Sequence, residues 1–414
     1  MKKVYFGKFY LIIMLLYMFN SFAVFSNNYK YVNNVNELIS ELKDIKNGDI
    51  IYLNSGIYNG NFFINKSVSF IGKGMVVLTS NGNGNILNIN ASDVNIKNIH
   101  FYNSGKDMVD RNACIFINGN NNIIINNYFS ECGFSVWLNA SSYNYVFNNI
   151  FIGTLDSILS DRGNTIQVYK NNDTIIANNF IINGRDGIYI SNSSEVSINK
   201  NIFMNVRFGI HYMFSNKCNV VSNMVADSLI GIAIMYSKYV DLINNLTYFN
   251  IDHGLFFRDV LYSRILKNKS LYNTDGILLG SSYFNDIINN DIVKNSIGVK
   301  VYSGSDENLV YENNFISNRL QVQFLDNRKI VWNSKKLGNF WSHYIGWDLN
   351  MDDIGDKKFY VTNISDWLIF SYPILKIMFN SPALVLLQKI ENQFPAFRKC
   401  SIVDNYPLMR PIIW

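Results

Sequence analysis

His211 and Met213 stand two residues apart in RFGIHYMFSN, and Met235 follows 22 residues after Met213. An imidazole nitrogen and two thioether sulfurs form a soft donor set that selects Cu(I) over hard cations, and it contains no thiolate that would oxidise. The three can act together only if residues 22 apart lie side by side. On stacked strands the step is about 6.6 Å for two residues along a strand and about 4.8 Å between strands. That places His211, Met213 and Met235 on one outward face, where they could converge on one ion. The same residues would equally make an apolar outer patch against which a partner packs. His253, preceded by Asp252, falls roughly 10 Å from His211, two strands away. It reads as a turn histidine or a second contact rather than a ligand of the same ion. His100 and His343 have no neighbours at ligand spacing.

A second donor set is hard. WDLNMDDIGD places Asp348, Asn350, Asp352 and Asp356 at relative positions 1, 3, 5 and 9. Oxygen ligands at this spacing look like part of a calcium loop, but the bidentate Glu at position 12 is missing and Gly355 is not at position 6. A Ca²⁺ site and an acidic surface turn both fit. Catalysis on polysaccharides would need clustered acids, or a basic residue beside calcium-binding carboxylates. Arg258, Lys300 and Asp275 fall in scattered columns of the sequence, and the chain reads as a non-enzyme.

The elements that must hold these residues come from an internal repeat. Gly187, Gly209, Gly231, Gly254, Gly276 and Gly298 recur at spacings of 22, 22, 23, 22 and 22, each ahead of an apolar strand. Ile188/Ile190, Ile210/Tyr212, Ile232/Ile234, Leu255/Phe257, Ile277/Leu279 and Val299/Val301 give each strand one apolar face at period two. An Asn keeps step at Asn127, Asn149, Asn179, Asn201, Asn223, Asn245, Asn268, Asn290 and Asn314, with an insertion around Asp161 to Asn164. Asn tolerates left-handed backbone and can hydrogen-bond to its equivalent one coil away. The pattern predicts an all-β fold, a right-handed parallel β-helix of about 22 residues per coil. A leucine-rich repeat lacks its Leu pattern here. Val35, Leu38, Ile39 and Leu42 have helical spacing and predict an N-terminal helical cap that covers the open end of the stack.

Asn makes up about 15% of the 414 residues, aromatics another 15% and charged residues only 16%, while hydrophobic residues reach 48%, which excludes disorder. The first 26 residues have a basic start and an apolar core from Phe9 to Phe19, too short to span a bilayer, and read as a cleaved signal peptide and hence an exported protein, which the family resemblance given below places in the periplasm. Removing Lys2, Lys3 and Lys8 lowers the formal charge from +5 by three, to +2, so nucleic acid is not an expected partner. The four cysteines would then sit in an oxidising compartment. Cys114 takes a core column, as does Cys218 beside Val196 and Val240, Cys132 lies near a turn and Cys400 is C-terminal. Neither disulfides nor a thiolate metal site are expected.

The domain reading is a signal peptide over 1–26, cap and first coils over 27–84, the β-helix over 85–330 and an extension over 331–414. All five prolines lie in that extension. There, Pro373 to Phe379 and a helix from Ser381 and Pro382 to about Gln393 form an apolar helical hairpin suited to docking on a membrane protein.

RDGIYIS at 185–191, RFGIHYMFSN at 207–216, GIAIMYS at 231–237, DHGLFF at 252–257 and GNFWS at 338–342 resemble successive motifs of the NosD family of periplasmic nitrous oxide reductase maturation proteins. SYPILKIMFNSPAL, QFPAF and VDNYPLM continue the resemblance to nearly the end of the chain. It implies membrane contact through an ABC permease with its ATPase, work with a copper chaperone, and a part in building the copper-sulfide centre of nitrous oxide reductase. It also implies that His211, Met213 and Met235 belong to the family's outer patch, with Cu(I) held transiently, and it names no ligands. A polysaccharide lyase or hydrolase, or a surface carbohydrate-binding module, is the alternative that a β-helix leaves open.

Overall fold

The computed structural model describes residues 28–154, 158–302, 304–325, 329–362, 368, 372–378, 381–394 and 402–413. The signal segment 1–26 and Cys400 lie outside them. The chain winds into a parallel β-solenoid of about 14 turns with about 22 residues per turn. One wall is a 24-stranded sheet built mostly from two three-residue strands per coil, and the other is a 12-stranded sheet with one longer strand per coil. Alternation puts Ile188, Ile190, Ile210, Tyr212, Ile232 and Ile234 in a continuous buried core, where stacked Phe101, Phe129 and Phe151 fill neighbouring coils. Such burial, at roughly 25 cal/mol per Å² of apolar surface, is the main stabilising term.

The glycine column answers a shortage of space. A Cβ on Gly209 would come within 2.5 Å of Val225 Cγ2 and 2.8 Å of the Gly231 carbonyl oxygen. Along the six coils from Gly187 to Gly298 a Cβ at this corner would come within 3.0 Å of the neighbouring coil.

The asparagine column divides its two expected properties between neighbours. Asn149, Asn179, Asn201, Asn223, Asn245, Asn268 and Asn290 are buried. In each, the backbone N–H and Nδ2 both donate to Oδ1 of the Asn one coil on; Asn201, for example, reaches Asn223 Oδ1 at 2.9 and 3.1 Å. The left-handed backbone belongs to the residue before, at Asn178, Lys200, Ser222, Asn244, Lys267 and Asn289. Its side chain faces solvent and need not be Asn. Asn314 is not in the ladder. A 23-residue step puts Asn313 there instead, bonded to Asn290 on one side and Asn339 on the other. The ladder closes on Asp404, whose Oδ2 accepts from the Asn339 N–H at 2.7 Å and the Trp341 indole at 2.8 Å. A second ladder, Asn250, Asn273, Asn295 and Asn318, runs along another corner.

Both ends are covered. Helix α1 (Val35–Lys43) starts on Asn34, whose Oδ1 accepts from the Glu37 N–H, while Glu37 accepts from the Asn33 N–H. This reciprocal cap fixes the helix so that Leu38 enters the core. At the other end Ile330–Val331, Phe359–Tyr360 and Ile402–Asp404 form a three-stranded sheet, and Trp332, Trp341, Val361 and Ile402 continue the solenoid's core. Helix α2 (Pro382–Gln393) has Ser381 as its N-cap, as expected, whereas Pro373–Met378 is a 3₁₀ segment. Among the described residues no helix is long and apolar enough to cross a membrane.

The expectation of unpaired cysteines fails at Cys114 and Cys132, which form a disulfide with Cα atoms 5.7 Å apart. Their 18-residue separation falls short of a full coil, yet the turn before Phe134 bends Cys132 back over the strand carrying Cys114. The loop it closes is worth about 3 kcal/mol by chain entropy. Cys114→Ala/Cys132→Ala should lower the urea midpoint accordingly, and an unchanged midpoint would show that the bridge adds nothing. Cys218 is buried, as expected for a core residue, and burial pushes its thiol up to about 12.

Candidate metal centre

Four neighbouring strands of the 12-stranded sheet carry the candidate residues and their neighbours in strict register. Tyr189, His211 and Ala233 form one column, Ser191, Met213, Met235 and Arg258 the next. The outward position of His211 is as expected, but its exposure is not, since only 6% of it reaches solvent. Its ring lies between Tyr189 and Phe208, with centroids 4.8 and 4.6 Å away.

Asp186 fixes that ring. His211 Nδ1 lies 3.0 Å from Asp186 Oδ2, and the Arg207 guanidinium grips the same carboxylate through Nε at 2.7 Å and Nη2 at 2.8 Å. Burial pushes the Asp186 carboxyl up, but the bonds from His211 and Arg207 outweigh it and hold it below its usual range. An ionised Asp186 takes the Nδ1 proton as its hydrogen bond and leaves the lone pair on Nε2. That atom is buried with no hydrogen-bond partner. A carboxylate behind a histidine is the usual outer support of a metal-binding imidazole.

Tyr189 joins this histidine to the sulfurs. Its ring meets His211 edge-on, and its hydroxyl donates to Met213 Sδ at 3.3 Å. Met235 is the strand partner of Met213, and both are half-buried. A sharp turn follows each methionine: Ser215 and Ser237 donate to the Met213 and Met235 carbonyls, while Phe214 and Tyr236 adopt left-handed backbone and stack at 4.9 Å. Asp186, Arg207 and Tyr189 were not singled out from the sequence. The signal was present, because Asp186 precedes the glycine column and lies 25 residues before His211, one coil plus three positions.

The other candidates separate. The acidic loop is exposed, and its oxygens accept from its own backbone: Asp348 from the Asp352 and Asp353 N–H groups, Asp352 from Ile354, and Asp356 from Leu349. Asp348, Asn350, Asp352 and Asp356 thus build a turn, and their carboxylates are not gathered around one point. His253 opens a strand rather than a turn, and Asp275 and Lys300, scattered in the sequence, meet at 3.4 Å. Among the described residues, the cluster of three or more His, Cys, Asp or Glu whose ligand atoms lie within 4.8 Å of one another is Asp252, His253 and Asp275. His100 bonds Ser130 and His343 meets Gln321.

Residues 153–346, a span that holds His211, Met213 and Met235, match the model of a family described as NosD, periplasmic copper-binding protein. Over 374 residues the chain is 36% identical to a protein of Pseudomonas aeruginosa named probable ABC transporter binding protein NosD, covering 86% of this chain and 87% of the relative. This chain belongs to the NosD family. A relative of the same name in Stutzerimonas stutzeri is 35% identical over 375 residues and covers 86% of both chains. Among solved structures, the surface adhesin PfbA of Streptococcus pneumoniae aligns with a TM-score of 0.49 at 14% identity, over 74% of this chain and 87% of that one. The family description, periplasmic and copper-binding, fits a donor set of one imidazole and two thioethers better than it fits the acidic loop.

Proposed function

We propose that the chain is a non-enzymatic periplasmic carrier that holds Cu(I) transiently at His211, Met213 and Met235 and presents it during assembly of the copper-sulfide centre of nitrous oxide reductase. The observation that carries this reading is His211 Nε2, an atom buried without a hydrogen-bond partner on a ring held by Asp186 and Arg207, with Met213 two residues on and Met235 as its strand partner. Imidazole and thioether donors bind Cu(I) yet release it more readily than thiolates do, which suits cargo in transit. The copper would arrive from a chaperone. The names of the curated relatives support an ABC permease and ATPase as partners. In the C-terminal segment, exposed Ile374, Ile377 and Leu386 offer an apolar contact for the permease.

The test is a cell lacking its own copy of the gene and supplied with either the parent chain or His211→Ala. Nitrous oxide reductase purified from the His211→Ala strain should contain several-fold less copper, with the carrier present at parental levels. Equal copper content would remove the proposed role.

A further inference from the structure

Two coils beyond His211 the same sheet holds a second cluster of different chemistry. His253 and Asp275 open successive strands and are direct register partners, and Asp252 precedes His253. His253 Nδ1 lies 3.1 Å from Asp275 Oδ2, and Nε2 lies 3.4 Å from Asp252 Oδ2. His253 is 8% exposed and Asp275 1%, and the imidazole stacks on Phe256 at 5.3 Å.

Two atoms of this cluster are left over. Asp275 Oδ1 is buried with no hydrogen-bond partner, and His253 Nδ1 makes no hydrogen bond although a carboxylate oxygen lies 3.1 Å away. A buried carboxylate oxygen left bare costs about 1–3 kcal/mol or more, so a purely structural network would be expected to satisfy it. One ligand atom from each of Asp252, His253 and Asp275 lies within 4.8 Å of the other two, close enough for the three to converge on one ion. Two ligands bound at about 2.0 Å to a tetrahedral ion are separated by about 3.3 Å, near the spacing found here. Lys300 is the counter-charge. Its Nζ sits 3.4 Å from Asp275 Oδ2, its side chain is 23% exposed, and the Tyr302 ring lies 5.8 Å from the ammonium as an alternative contact.

We propose that Asp252, His253 and Asp275 form a binding site for a borderline divalent cation of the Zn²⁺ class, with Lys300 as a built-in competitor that leaves Asp275 when the ion enters. Two carboxylates and one imidazole are too hard a set for Cu(I) and suit a divalent ion. The sheet therefore carries two metal sites of opposite preference, two coils apart and offset by three positions along the strand, so about 14 Å between the two histidine Cα atoms. Nothing in this assignment depends on the copper reading.

The test uses the full mature chain, freed of metal with a chelator and carrying no affinity tag. Zn²⁺ added alone should bind with one equivalent in calorimetry and raise the melting temperature. Co²⁺ in its place should give visible absorption from a nitrogen–oxygen set, without the intense near-ultraviolet band of thiolate ligation. Asp275→Asn and His253→Gln should each weaken Zn²⁺ binding at least about tenfold, whereas Lys300→Met should strengthen it about tenfold. His211→Ala should leave it unchanged. The proposal is overturned if the parent binds no Zn²⁺, if Lys300→Met fails to tighten binding, or if the site moves with His211. Because Lys300→Met adds affinity, a folding defect in the Asp275 variant does not rescue or sink the proposal by itself.

Discussion

Cu(I) titrated against a competing chelator should bind His211→Ala at least about 100-fold more weakly than the parent chain, and Asp186→Asn about 10- to 100-fold more weakly. The two variants fail for different reasons. His211→Ala removes the nitrogen whose lone pair is presented, whereas Asp186→Asn leaves it in place. It removes only the carboxylate that draws the proton to Nδ1 and that Arg207 clamps. An imidazole freed to turn or to change tautomer spends less time with Nε2 held as a free donor. Met213→Ala and Met235→Ala should each lose less than His211→Ala, since one thioether remains. If His211 served only an apolar patch, its loss would change stability through the Tyr189 and Phe208 contacts and leave Cu(I) affinity alone. Unchanged affinity in both variants, with the melting temperature lowered, is therefore the result that would refute the site.

Asn223→Leu should destabilise the solenoid by about 3–6 kcal/mol, more than loss of the disulfide. Its Oδ1 accepts from both the N–H and the Nδ2 of Asn201, and its own Nδ2 donates to the Ile198 carbonyl and to Asn245 Oδ1. Leu fills a similar volume but strands two donors on one side and a carbonyl on the other, each buried, at about 1–3 kcal/mol apiece. The control is Asn216→Ala at an exposed turn, which should fall within about 0.5 kcal/mol of the parent. Denaturant midpoints for the two variants check the contrast. If Asn216→Ala cost as much as Asn223→Leu, the ladder would have no special energetic role.

Those two experiments separate what could be read in the sequence from what could not. The period, the inward faces and the place of His211 beside the methionine column were legible, because a strand alternates its faces and 22 residues return the chain to the same corner. Properties that depend on a step other than one coil were not. The Cys114–Cys132 bridge spans 18 residues, the ladder slips by one at Asn313, and the contact from Asp186 to His211 spans one coil plus three. Burial of His211 was hidden too, since an outward side chain is exposed only if its neighbours are small, and here Tyr189 and Phe208 wall it in. The carboxylate behind the imidazole and the cluster at His253 both needed side-chain directions that spacing alone does not contain.

The asparagine ladder also has a direction. From Asn127 to Asn339 each amide donates toward the C-terminal end and accepts from the N-terminal side, so the last coil would present bare N–H groups. A second copy stacked head to tail could satisfy them, in a contact that never closes and grows into a fibre. Asp404 ends the row with a carboxylate that can only accept, while α1 blocks the opposite face. Asp404 at one end and α1 at the other thus leave the ladder no open edge on which a second copy could continue it.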